Sequence, residues 1–142
     1  MRIMAIDYGD ARTGVAVSDI SSTLVGDTFV INGRKENLVV QRIIDEAKER
    51  SVQCIIVGYP KNMDGSIGHR AEKCENFAGL LRTQIAESLP QHIDVVLWDE
   101  RMTTKSAQRI LTDVGKFGKK RKETIDAVAA SLILESYLGS LK

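Results

Sequence analysis

Ile3-Met4-Ala5-Ile6-Asp7-Tyr8-Gly9-Asp10-Ala11-Arg12-Thr13-Gly14-Val15-Ala16-Val17 is the stretch on which the fold turns. Four apolar residues in a row, with no polar alternation, are the pattern of a strand covered on both faces. The run ends on a carboxylate, Asp7, and enters a turn that contains Gly9 and Gly14. Val15-Ala16-Val17 reads as a second strand ending at Ser18-Asp19, and so short a connection makes the pair a hairpin.

A third strand is expected around Thr28 to Ile31, closed by Asn32-Gly33. A helix from about Lys35 to Arg50 follows, with Leu38, Val39, Ile43, Ile44 and Ala47 at helical spacing. Cys54 to Val57 is the next strand, stopped by Gly58-Tyr59-Pro60, and the loop from Lys61 to Gly68 is rich in breakers. Ala71, Cys74, Phe77 or Ala78, Leu81 and Ile85 form a second helical stripe that ends near Leu89-Pro90. Ile93 to Trp98 is a strand with Asp99-Glu100-Arg101 at its end. Thr103 or Thr104 caps a short helix through Ile110 and Leu111. Gly115 to Lys122 reads as a basic loop, and a last helix from about Glu123 to Leu138 carries Ile125, Val128, Ala129, Leu132 and Ile133. This order predicts an α/β domain: a mixed central sheet of about five strands flanked by helices. There is no internal repeat, linker or second domain in the pattern, so residues 1–142 are expected to be one domain.

Composition agrees with an ordinary globular chain. Its 142 residues are 43% hydrophobic and 27% charged, and 20 Lys+Arg against 19 Asp+Glu give a net charge of +1. That near-neutral balance leaves nucleic acid open as a partner, because one basic patch suffices. With 5% aromatics, recognition by stacked bases is disfavoured. Cys54 and Cys74 read as buried small hydrophobes in a reducing compartment. The absence of a charged leader or a membrane-length apolar run makes the expected location cytoplasmic.

Acidic groups collect just beyond apolar strands: Asp7 after the first, Asp99 and Glu100 after the fifth, and Asp126 in the first turns of the last helix. Strand ends are where sites form in open α/β sheets. Carboxylates gathered from separate elements repel one another, and a divalent cation relieves that; oxygen ligands suit Mg²⁺ or Mn²⁺. Two such ions about 4 Å apart activate water and stabilise the attacking and leaving oxygens of a phosphodiester. Blander readings stand beside this one. Asp7 can accept backbone N–H bonds in its turn, and Asp126 is favourable to a helix start. Lys119, Lys120, Arg121 and Lys122 are either a solvated loop or phosphate-backbone contacts. Asp99 and Glu100, being adjacent, point to opposite sides, so one of them reaches the cluster. Arg101 pairs with the other or meets a substrate phosphate. His69 and His92 have no zinc-ligand spacing.

Four segments in order resemble one family. Met4 to Ala16 resembles the opening motif of the YqgF family, also called the RuvX or pre-16S rRNA nuclease family; Val57 to Gly68 is similar to its second motif, Asp99 to Thr104 to its third, and Lys122 to Ala130 to its fourth. The visible departure is Tyr59, where that family usually has leucine. The resemblance implies a ribonuclease-H-like fold related to Holliday-junction resolvases. It also implies a metal-dependent endo- or exonuclease that helps mature the 5′ end of 16S ribosomal RNA. It assigns Asp7, Glu100 and Asp126 as catalytic metal ligands with Asp99 in reserve, and Arg12, Arg101 and Lys119 to Lys122 as phosphate contacts. Mg²⁺ or Mn²⁺ is the implied cofactor. The implied partners are structured RNA (pre-16S rRNA, in ribosomal particles) or branched DNA, met by a monomer or homodimer away from any membrane. Three other readings compete: a DNA junction resolvase, a nucleotide-binding or ATPase domain of the actin and sugar-kinase type, and a non-catalytic RNA-binding assembly factor.

Overall fold

The computed structural model describes residues 1–102 and 119–141, with the backbone alone over 102 and 119–124. In chain order it has β1 (Arg2–Asp7), β2 (Arg12–Ser18), β3 (Val25–Asn32), α1 (Glu36–Glu49), β4 (Val52–Tyr59), α2 (His69–Ser88) and β5 (Asp94–Asp99). A short 3-10 turn (Glu100–Met102) and α3 (Lys119–Ser140) complete the described elements. The strands lie in the order β3-β2-β1-β4-β5. The hairpin pairs β1–β2 and β2–β3 are antiparallel, whereas β4 runs parallel to both β1 and β5. The expected mixed five-stranded sheet is therefore what forms.

Side chains of β1 alternate across the sheet, as the two-residue period of a strand requires. Met4 and Ile6 join Val15, Ile55 and Val57 beneath α1 and α2, where Val40, Ile43, Phe77 and Leu81 complete the packing. Ile3 and Ala5 point the other way, with Ala16 and Ile56, into a smaller core closed by Ala130, Ile133, Leu134 and Leu138 of α3. Burying each such Ile or Leu contributes about 1.5–3 kcal/mol. Continued one step, the same alternation sends Asp7 to the α3 side. Ser18 ties the hairpin down at its far end: its hydroxyl accepts the Ile3 N–H at 2.9 Å.

Several expectations need correction. The third strand starts earlier, at Val25, because the antiparallel ladder with β2 extends to Ser18. Leu38 is 62% exposed, and Val40 takes its place on the buried stripe of α1. The fourth strand does not stop at Gly58; it runs through Tyr59, whose partner is Asp99. Tyr59 is buried, and its hydroxyl bonds Glu75 of α2. The last helix begins at Lys119, so the basic run 119–122 is its opening turn and not a loop. On α3 the fully buried stripe is Ala130, Ile133, Leu134 and Leu138, while Ile125, Val128, Ala129 and Leu132 are half-buried. The helix through Ile110 and Leu111 and the loop glycines at 115 and 118 lie outside the described residues. Among the described residues no helix is long and apolar enough to cross a membrane.

Candidate active site

Asp7 ends the central strand with its side chain only 14% exposed. Its antiparallel partner is Gly14. A Cβ on Gly14 would stand 1.9 Å from the carbonyl oxygen of Asp126 and 2.5 Å from its carbonyl carbon. A bare backbone at 14 is thus what lets α3 lie directly on the hairpin at Asp126, level with Asp7. Glu100 arrives from the other flank, through the 3-10 turn after β5, and leans over β4. A Cβ on Gly58 would be 2.6 Å from Glu100 Oε1 and 2.7 Å from Ile133 Cδ1. Three carboxylates from three elements therefore reach the same end and the same face of the sheet.

Asp7 feels the charges of the other two. Burial is the largest influence on Asp7, and the negative charge of Glu100 comes next. Arg70 works against the rise and Asp126 adds to it, and the balance pushes the carboxyl from 3.8 up to about 7. Burial raises Glu100 as well; Arg70 opposes this and Asp99 reinforces it. Asp99 behaves oppositely. Its hydrogen bonds from Arg101 hold it below the usual carboxylate range. The Arg101 guanidinium meets Asp99 through Nε at 2.9 Å and Nη2 at 2.6 Å, and the Arg101 backbone N–H adds a bond at 2.9 Å. The two adjacent acids thus differ in setting: Asp99 is clamped by Arg101, and Glu100 lies against Gly58, where its charge bears on Asp7.

Asp126 accepts a bond from Arg12 Nε at 2.8 Å. The two arginines read from sequence as phosphate contacts, Arg12 and Arg101, are accordingly both engaged by carboxylates of the site. Lys119 to Lys122 open α3 just before Asp126; their side chains lie outside what is described. Sequence reasoning missed Arg70, whose Nη2 lies 3.7 Å from Asp7 Oδ1, and the close-approach roles of Gly14 and Gly58. Arg70 had a signal available: a cation in the first turn of a helix that starts beside the acidic strand end. His69 begins α2, and His92 pairs with Asp94 at 2.6 Å.

Among the described residues, no three His, Cys, Asp or Glu side chains stand as a ready-made metal-binding group. The reason is visible in the partners, since Asp126 turns to Arg12 and Asp7 faces Arg70. The donor chemistry nevertheless fits a hard divalent cation. It is all carboxylate oxygen, and a bound cation would offset both the burial and the neighbouring negative charges that raise Asp7.

Gly58→Ala tests the packing around Glu100. The atoms a methyl meets are the ends of flexible side chains, so the fold survives at a cost of about 1–2 kcal/mol. Glu100 is displaced, and the Asp7 carboxyl titrates lower than in wild type, as followed by carboxyl-carbon NMR. An unchanged Asp7 titration would show that Glu100 does not act on it.

The sheet order, the helices on both faces and the acidic end of the central strand define a ribonuclease-H-like α/β protein. Solved structures with the same architecture include T. thermophilus RuvC in complex with Holliday junction substrate, with a TM-score of 0.62 at 12% identity over 100% of this chain and 97% of that one. The fowlpox virus resolvase with its substrate Holliday junction DNA matches with a TM-score of 0.61 at 11% identity, over 99% of both chains. At such identities these structures speak to the fold. The chain belongs to the RuvX family, described as Holliday junction resolvase, whose model matches residues 1–140. Relatives named "Putative pre-16S rRNA nuclease" include one from Halothermothrix orenii, 45% identical over 98% of this chain and 95% of that protein. Another, from Caldanaerobacter subterraneus, is 43% identical over 100% of this chain and 99% of the other.

Proposed function

We propose that this protein is a metal-dependent nuclease that matures the 5′ end of pre-16S ribosomal RNA, acting in the cytoplasm as one ribonuclease-H-like domain over residues 1–142. The observation that carries the reading is the buried Asp7 carboxyl, driven up to about 7 with Glu100 and Asp126 both contributing to the rise. A carboxyl perturbed by burial and by like charges from two other elements is the mark of a functional site. The names of the relatives, 45% and 43% identical over nearly full length, support ribosomal RNA precursor as the substrate.

Asp7, Glu100 and Asp126 would hold the cation, Mg²⁺ or Mn²⁺, which would supply charge neutralisation and an activated water at the phosphodiester. Arg12 fixes the Asp126 carboxylate through its 2.8 Å bond. Arg101 keeps Asp99 ionised and turned away, so that Glu100 and not Asp99 serves as the middle ligand. The opening turn of α3, Lys119 to Lys122, would offset the negative charge of an approaching strand.

The test is cleavage of an end-labelled 16S precursor fragment beside a four-way DNA junction, in Mg²⁺ and in Mn²⁺, with wild type and Glu100→Gln. The expected result is metal-dependent cutting of the RNA that falls at least about a hundredfold in the variant. Product lengths distinguish endonucleolytic from exonucleolytic action. Paired symmetric cuts in the junction alone would favour a resolvase, whose two-fold substrate calls for a homodimer. RNA binding without cutting, equal in both proteins, would favour a non-catalytic assembly factor.

A further inference from the structure

Beside the acidic cluster, between the β1–β2 turn and the first turns of α2, lies an open cleft of about 330 Å³. We propose that it seats a backbone phosphate of the nucleic-acid strand adjacent to the one being cut, with Arg70 as the principal contact. The inference rests on the nuclease reading above and adds a residue and a subsite to it.

The arginines of the site differ in what they would lose by turning to a phosphate. Arg12 and Arg101 are about one-third exposed and sit in hydrogen bonds of 2.8 and 2.6 Å to their carboxylates. Arg70 is 67% exposed, and its Nη2 lies 3.7 Å from Asp7 Oδ1, beyond hydrogen-bond length. It is held near Asp7 by charge attraction, with its planar fork still available for bidentate contact with a phosphate. A cation taken up by Asp7 cancels the charge that attracts Arg70, just where a strand arrives. Lys73, also lining the cleft, pairs at 2.9 Å with Asp10, a carboxylate that is itself largely exposed. Such a solvent-screened pair exchanges readily for a phosphate. The wall behind them is firm: Tyr8 stacks on Phe77 with ring centroids 4.1 Å apart, and Cys74 is buried. The cleft therefore presents two exchangeable cations on a rigid backing, within reach of the proposed reaction centre.

The competing account is that Arg70 only balances the charge of Asp7. Binding of the 16S precursor fragment in Ca²⁺ separates the two, with substrate integrity checked on the same gel and salt varied. Wild type, Arg70→Gln and Arg70→Lys are compared. The expected result for Arg70→Gln is binding roughly tenfold or more weaker, and a log-log salt slope shallower by about 0.7–0.9, the loss of one phosphate contact. Arg70→Lys restores the slope but not the full affinity, since a point charge replaces the fork. Wild-type affinity and slope in Arg70→Gln, with half-saturation by Ca²⁺ at lower concentration, would overturn the proposal in favour of charge balance. If the wild type cuts RNA while Arg70→Gln binds unchanged, this subsite alone fails. If the wild type neither binds nor cuts, the nuclease reading fails and takes the subsite with it.

Discussion

Asp7→Asn removes cleavage and yet, at pH 8 without metal, melts at a higher temperature than the wild type. Both effects follow from one carboxylate. A folded-state pKa of about 7 against 3.8 means that the native protein binds this proton more tightly than the unfolded chain. Stability therefore falls as pH rises from about 4 through 7, and levels off above. The free energy involved is about 4 kcal/mol once the group is fully ionised, as an upper figure. Asparagine keeps the shape and cannot ionise, so the variant should show no such slope. In a chain of this size the difference amounts to roughly 10 °C in melting temperature at pH 8, shrinking to little at pH 4. Adding Mg²⁺ or Mn²⁺ raises the wild type towards the variant, which itself should barely respond. Cleavage falls by about a thousandfold or more, since transition-state charge stabilisation worth several kcal/mol is lost. Thermal melts across pH 4 to 9, with and without metal, provide the check. An asparagine variant less stable than wild type at pH 8 would mean that the ionised Asp7 is favourably paired and not destabilised by its surroundings.

Gly14→Ala is expected to damage fold and site together. The atom a methyl would meet, 1.9 Å away, is a backbone carbonyl oxygen of α3, and no side-chain rotation can relieve it. Either the helix start or the hairpin must move by more than 1 Å. The cost is expected at about 3 kcal/mol, at the upper end of overpacking effects. A displacement of that size carries Asp126 away from Asp7, and misplacement by about 1 Å is worth roughly a hundredfold in rate. Gly79→Ala in α2 is the control, because nothing lies within 4 Å of its added methyl. It should be neutral or stabilising by about 0.5–1 kcal/mol through helix propensity. Urea titrations and single-turnover cleavage of the three proteins give both readouts. A Gly14→Ala protein as stable and active as wild type would show that α3 is not seated on that glycine.

What the sequence displayed and what it hid divide along physical lines. The uninterrupted apolar run of β1 and the stripe Ala71, Cys74, Phe77, Leu81, Ile85 were legible because burial imposes a period on them, and all of these helix positions are buried. The phase of α3 was not. Apolar residues occur nearly all round that helix, so periodicity cannot choose between Val128 with Leu132 and Ala130 with Leu134. Gly58 looked like a strand terminator because glycine usually is one; here it continues β4 because the space over it belongs to Glu100 and Ile133. The candidate acids were named from strand ends and family motifs. Their partners were not legible, since Arg12 meets Asp126 across 114 positions of chain, a separation that no local pattern encodes.

That separation has a consequence for how the protein comes into being. Asp7 is synthesised before Glu100 and Asp126, and the five described strands precede the helix that carries Asp126. Until that helix is made, the face of the sheet formed by Ile3, Ala5, Ala16 and Ile56 lacks the α3 residues that complete its core. A nascent chain can thus zip its hairpin and cover the opposite face while the acidic cluster is still incomplete. Asp126 joins Asp7 and Glu100 only when α3 docks on the hairpin, so the candidate cluster is assembled by the same step that closes the second core.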